Sequence, residues 1–436
     1  QQMKRALEAI QKENISNNAL KVVARLNESG YQAYLVGGCV RDLLLGRLPK
    51  DFDVATNAHP EEIRDLFRNS RIVGKRFKIV HVKFGREIVE VTTFRAPHSD
   101  HYDETHSESG MTLIDNNFGS FTEDVFRRDF TINAIYYQPN NRELIDLANG
   151  GMDVMSRTIR TIGNPESRFR EDPVRMMRAA RFEAKLEFEL DPETREQILA
   201  LGYLIQDVSP ARLFEEVLKL FMSGHGEKSL SALLTHELYG WLFPDSKRSM
   251  ENHPTEAIVR HALLSTDSRI DADKPVTPAF IYAAMFWYPF VDEKERVQKE
   301  EGLTHFAASH EAANNVISKQ QLFTSIPRRF TGTIRDIWFL QSRLTARFAD
   351  KPDLLMQHKR FRAAYDFLLI REATGEKTDQ LGQWWTEYQQ ADPERRNAMK
   401  KSVPSKRKKR GRRRKRKPNN SPNGNGIANP TTSWSL

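Results

Sequence analysis

"YLVGGCVRDLLLGRLPKDFDVATNA", residues 34–58, places a double glycine before an Arg-Asp pair and then two aspartates one residue apart. "YQAYLV" reads as a strand, "CVRDLLLG" as a helix turning away from the glycines, and "DFDVAT" as a second strand. On a strand, side chains i and i+2 point to the same side, so Asp51 and Asp53 face one space. Carboxylates that close repel each other unless a proton or cation lies between them. Oxygen ligands of this kind suit Mg²⁺, which is commonly held by a few carboxylates together with substrate phosphates. Gly37 and Gly38 let backbone N–H groups approach a phosphate, whose charge a helix N-terminus favours. The stretch is neither GxGxxG nor a P-loop, because no GK[ST] follows. A DxD alone is a common pattern and equally fits an exposed turn. Joined to the glycine turn, it points to phosphoryl or nucleotidyl transfer.

Outward from this stretch, "NNALKVVARLNESG" spaces Leu20, Val23 and Leu26 as a short amphipathic helix ending at Gly30. "HPEEIRDLF" opens with Pro60 at the first helical position and acids in the first turn. "FKIVHVKFGREIVEVTTF" reads as two strands about Gly85, residues 96–120 as polar and irregular, and "NRELIDLANGGMDVMSRTIRTIG" as strand and turn. The mixed sheet thus spans about residues 15–160. From "EDPVRMMRAARFEAKL" onward the apolar spacing is helical, and no fixed-period repeat interrupts it. The expected architecture is an α/β catalytic head over 1–160, a helical neck over 161–225, a helical body over 226–395 and a disordered basic tail over 396–436.

The chain has 436 residues, which is long for one core. Residues 401–436 hold 12 of the 67 lysines and arginines and no acid; the rest balances 55 basic against 58 acidic groups. "KRKKRGRRRKRK" within that tail fits a polyanion, and nucleic acid is the expected partner; a solubilising tail or an address signal is the plainer alternative. A single cysteine, Cys39, excludes a disulfide framework and a cysteine zinc site; without a defined base it reads as packing. The scattered histidines give no metal-ligand spacing. The start "QQMKRALEAIQKEN" lacks the apolar core of a secretion signal, and the longest apolar run, "AFIYAAMFWYPF", is too short to span a bilayer. A cytoplasmic location is expected.

Two further clusters carry chemistry. Glu90 in "EIVEVTTF" and Asp129 in "RRDFTINA" each offer a third carboxylate to complete a metal site or to help deprotonate an attacking hydroxyl. Arg127 and Arg128 offer charge to phosphates, although arginines beside an acid also make plain salt bridges. Asn133 lies four residues beyond Asp129 and shares a helix face with it if that stretch is helical. In "REDPVRMMRAARF", Asp172, Arg175, Arg178 and Arg181 recur every three residues. A carboxylate held beside a guanidinium fork reads the edge of a base; a salt-bridged helix surface is the alternative.

In this order, "LVGGCVRDLLLG", "DFDVAT", "RRDFTINA", "LIDLANGGMD" and "EDPVRMMRAARF" resemble the bacterial poly(A) polymerase and tRNA nucleotidyltransferase family, the second class of polymerase-beta-like nucleotidyltransferases. The resemblance covers residues 35–182. It implies a head–neck–body–tail enzyme that adds ribonucleotides to RNA 3′ ends without a template. It further implies Asp51 and Asp53 as metal-binding aspartates, Asp129 as the third active-site acid, Glu90 as a supporting metal-site acid, and Asp172 and Arg175 as the pair that meets the incoming base. Gly37, Gly38, Arg41, Arg128, Asn133 and Arg178 complete the expected nucleotide site. "FRNSRIVGKRFKIVHVKFG", "ARLFEEVLKLF", "FWYPF", "FRAAYDFLLIRE" and the basic C-terminus look like the poly(A)-adding branch, and no HD-type phosphohydrolase pattern is present. The implied reaction is attack of an RNA 3′-hydroxyl on the α-phosphate of ATP with release of pyrophosphate, assisted by two Mg²⁺ (or Mn²⁺). Messenger RNA, decay intermediates and RNA-decay proteins are the implied partners. CCA addition to tRNA is the second expectation.

Overall fold

The computed structural model describes residues 10–74, 78–96 and 117–403. The basic run of the tail and most of the polar stretch at 96–120 lie outside the described residues. The head is a seven-stranded sheet built from β1 (Ala33–Val36), β2 (Phe52–Thr56), β3 (Ser70–Val73), β4 (Ile79–Phe84), β5 (Glu87–Thr93), β6 (Tyr136–Gln138) and β7 (Glu143–Ile145). Its order is β3-β4-β5-β2-β1-β6-β7, so the strand carrying the two aspartates is central. Within this sheet only β2 and β5 pair in parallel. A central strand is covered on both faces, and Phe52, Val54, Ala55 and Thr56 are all buried.

Helix α1 (Asn17–Glu28) starts where the Ser16 hydroxyl accepts from the Asn18 and Ala19 N–H groups. It turns Ala19, Val22, Val23 and Leu26 inward; Leu20, expected in the apolar stripe, is only half-buried. Helix α2 (Gly38–Leu44) leaves the glycine turn, and α3 (Pro60–Leu66) begins on its proline as the sequence suggests. Helix α4 (Phe121–Arg127) is fixed by a reciprocal cap between Ser120 and Glu123.

Residues 141–163 contain the expected strand as β7, but not only turns beyond it. After β7 they form a helix, α5 (Gly150–Ser156). The Asp146 carboxylate accepts from the Gly150 and Gly151 N–H groups, 2.8 Å each, and starts the helix despite its glycines. Gly150 is required by closeness: a Cβ there would sit 2.0 Å from the Thr131 carbonyl oxygen.

Helices α6 (Pro165–Glu171) and α7 (Val174–Leu186) form the neck. A short parallel ladder between β8 (Thr158–Ile159) and β9 (Glu189–Leu190) stitches neck to head, a small exception to the expected all-helical neck. Helices then follow one another from Pro192–Leu201 to Pro393–Ser402. The last one crosses the boundary expected at 395. The apolar run at 279–290 supplies buried core in Pro278–Met285 and Trp287–Glu301. Trp385 and Tyr388 centre a second, C-terminal core with Leu344, Leu368 and Leu381. Among the described residues, no helix is long and apolar enough to cross a membrane.

Candidate active site

The sheet register sets Asp53 directly beside Glu90 on β5 and opposite Val36, the residue before the glycine turn. Asp51 lies just before the strand and is exposed; Asp53 is half-buried. Burial, then the Glu90 charge, and to a lesser degree Asp51, push the Asp53 carboxyl up to about 6 against the opposing pull of Arg128. Glu90 is shared with His81, whose Nε2 lies 3.3 Å away. Among the described residues, no group of three or more His, Cys, Asp or Glu side chains is arranged to hold a metal ion.

Gly37 caps α2 with φ at +77°, a conformation that glycine adopts freely. A Cβ there would lie 3.9 Å from Nη1 of Arg128, so that guanidinium borders the turn. Its other nitrogens are anchored: Nε donates to the Tyr136 hydroxyl at 2.7 Å and Nη2 to Asp124 Oδ2 at 3.0 Å. Asp124 is 1 % exposed and also accepts from Arg127, the Tyr136 hydroxyl and the Arg95 N–H. Burial alone would raise its carboxyl; Arg128, Arg127 and Tyr136 outweigh that and hold it well below the usual range. The sequence reading missed Asp124 and Tyr136. The Ser120–Glu123 cap was the available signal, because it fixes a helix that puts Asp124 three and four residues before Arg127 and Arg128.

Arg41 is buried, and each of its three guanidinium nitrogens has a partner. Nε and Nη2 donate to Asp42 Oδ1 at 3.0 and 2.8 Å, and Nη1 donates to Asn133 Oδ1 at 2.7 Å. Asn133 Nδ2 in turn lies 3.4 Å from Asp129 Oδ1. A 3₁₀ turn over Thr131–Asn133, rather than a shared α-helix face, brings these two together. Asp129 Oδ2 receives both Nε (2.7 Å) and Nη2 (2.6 Å) of Arg178 on α7. Burial opposes its ionisation, but Arg178 and the Phe130 N–H bring the Asp129 carboxyl down to about 2. Asp129 is thus one contact between the head and α7, while Glu90 is the acid beside Asp53.

Asp172 ends α6, where Arg212 donates to its Oδ2 at 2.7 Å. Arg175 donates to Glu171 Oε2 at 2.7 Å and to the Arg168 carbonyl at 2.8 Å. Arg178 and Arg181 both lie over the Phe182 ring, with Arg41 on the same ring. Cys39 is buried, its thiol donates to the Val36 carbonyl, and burial pushes it up to about 12, which suits packing.

Family models match at three places: the poly A polymerase head domain over 33–160, the probable RNA and SrmB-binding site of polymerase A over 187–250, and the polymerase A arginine-rich C-terminus over 301–419. The chain is 46% identical to poly(A) polymerase I of Salmonella typhimurium over 416 residues, 93% of this chain and 90% of that one. It belongs to the poly(A) polymerase I family. A CCA-adding enzyme of Lactobacillus helveticus is 39% identical over 220 residues, 50% of this chain and 53% of that protein. A solved CCA-adding enzyme, apo form II, superposes with a TM-score of 0.56 at 20% identity, covering 91% of this chain and 97% of that one, and so shares the fold.

Proposed function

We propose that the chain transfers AMP from ATP to RNA 3′ ends without a template and releases pyrophosphate. The observation that carries this reading is the juxtaposition, around one central strand, of Asp53, Glu90 and a glycine turn bordered by an anchored arginine. Near-full-length similarity to poly(A) polymerase I supports it, whereas similarity to the CCA-adding relative covers half the chain.

Asp53 and Glu90, side by side on neighbouring strands, with Asp51 just before the strand, are the carboxylates that would offer oxygens to Mg²⁺ or Mn²⁺. Burial, then the Glu90 and Asp51 charges, raises the Asp53 carboxyl, and a divalent cation would relieve the charge repulsion. Bound there, such a cation supplies Lewis-acid stabilisation of the reacting phosphate. The Gly37–Gly38 turn and Arg128 hold the triphosphate. Arg41 and Asn133 act as braces rather than direct contacts, because their polar atoms already serve Asp42 and Asp129. Asp129 positions the neck through Arg178.

Asp172 offers an acceptor and Arg175 a donor to the base. Adenine presents an amino donor beside a ring-nitrogen acceptor, and so does cytosine, so choice between them depends on how rigidly the pair is held. Arg212 and Glu171 provide that rigidity. Messenger RNA and decay intermediates in the cytoplasm are the RNAs this reading assigns, with RNA-decay proteins as companions.

The test is primer extension with pyrophosphate detection on an unstructured RNA. ATP should lengthen the primer with one pyrophosphate released per residue added, and Asp53→Asn should abolish both while leaving RNA affinity within twofold. Turnover of Asp53→Asn at the parent rate would overturn the assignment.

A further inference from the structure

Far along the chain from the head, the helical body carries a line of aromatic rings. Phe306 is 74% exposed, and its ring lies 4.5 Å from His310 on the next turn of His305–Gln320. His310 lies 4.6 Å from Phe339 of the neighbouring helix Arg328–Leu344. Phe339 lies 6.4 Å from Phe290, which stacks on Trp338 at 4.7 Å and 12°. The rings thus run without a gap from open surface into the wall of a cavity of about 380 Å³.

Cations flank the line. Lys294 and Lys377 line the same cavity, and neither forms an ion pair with a carboxylate among the described residues. Lys294 Nζ instead lies 3.1 Å from His305 Nε2. Desolvation, then the Lys294 charge, lowers His305, and burial lowers Lys294 in turn. Arg371 is paired with Glu376; Asp379 also lines the cavity, and Glu295 acts on Lys294 from a distance.

Flat rings open to solvent, followed by unpaired lysines, match single-stranded nucleic acid: bases stack on the rings and phosphates meet the cations. We propose that Phe306, His310 and Phe339, with Lys294 and Lys377, form a stacking track for unpaired RNA nucleotides upstream of the 3′ end. This rests on the RNA reading above and names where on the body the RNA lies.

The experiment uses the full chain and compares it with Phe306→Ala/His310→Ala, two exposed positions whose change spares the core. Affinity is measured by fluorescence anisotropy for oligo(A) of about 20 nucleotides, for a trinucleotide primer, and for a 20-unit abasic strand of the same charge. The track predicts about a tenfold weaker Kd for the long oligo(A) in the variant, and an unchanged trinucleotide KM, kcat and abasic Kd. Equal long-oligo affinities overturn the proposal, as does a loss that persists on the abasic strand or extends to the trinucleotide. A parent chain that binds no RNA at all overturns the functional reading together with the track. A parent that binds and extends RNA beside an unchanged variant overturns the track alone.

Discussion

Replacing Asp124 with asparagine should cost both stability and ATP use, because one carboxylate holds the arginine that borders the glycine turn. Asp124 is 1% exposed and faces the Arg127 and Arg128 guanidinia, each with 17% side-chain exposure. Removing one partner of a buried pair costs about 3–5 kcal/mol. The residual exposure lets both arginines reach water, which places the loss near 3 kcal/mol, a large share of the roughly 5–15 kcal/mol typical of a folded chain. For 436 residues unfolding together, at about 2.1 cal/mol/K per residue, a melting temperature lower by about 3 °C follows. Arg128 keeps the Tyr136 hydroxyl but loses the charged half of its anchor, and since misplacement on the ångström scale costs up to about 100-fold, kcat/KM for ATP should fall by about tenfold or more. The pH dependence has a fixed sign. The depressed carboxyl contributes stability that is fully present above the unfolded value of about 4 and is lost as pH falls through it towards the lower folded value. The gap between parent and variant should therefore be constant from pH 8 to 5 and shrink in more acidic solution. Thermal melts across pH and single-turnover extension would show this. A variant with parental melting temperature and parental kcat/KM would refute the anchoring role.

Three other outcomes follow from the same geometry. Asp129→Asn should leave the Mg²⁺ concentration for half-maximal rate unchanged while weakening selection among nucleotides, and Arg178→Lys should retain part of that selection; a large rise in the Mg²⁺ requirement of Asp129→Asn would instead make it a metal ligand. Arg212→Ala should bring the single-turnover rates with ATP and CTP closer by about tenfold, because it frees Asp172 to reorient, whereas equal slowing of both would reduce Arg212 to a fold-stabilising role. Deleting residues 404–436, which carry 11 basic groups and no acid, should flatten the dependence of log Kd for RNA on log salt, by a slope of about 0.7 for every RNA phosphate that the tail neutralises; parallel lines for the two forms would free the tail of an RNA-binding role.

Much of the head was legible because its signals are local. Alternating apolar residues, a glycine turn and Pro60 each dictate structure within a few residues of themselves, and the helix and strands expected around Asp51 and Asp53 are present. Helix α5 was not legible, because its first turn is Gly150-Gly151 and its start is set by Asp146 and by the close approach to Thr131. The roles within the site were hidden for another reason. Arg41 meets Asn133, and Asp129 meets Arg178, across separations of 92 and 49 residues. Spacing along a chain carries no information about which distant partner occupies an arginine. It therefore could not show that Arg41 meets Asn133 or that Asp129 meets Arg178. Asp124, by contrast, was within reach of a purely local reading, since the Ser120–Glu123 cap fixes the helix that aims it.

The most direct measurement offers one unstructured RNA primer all four nucleotides together and reads the added 3′ sequences at single-nucleotide resolution. Template-independent AMP transfer predicts long runs of adenosine that grow with time and stop with Asp53→Asn. Short additions ending in CCA, with growth arrested after the third residue, would contradict it.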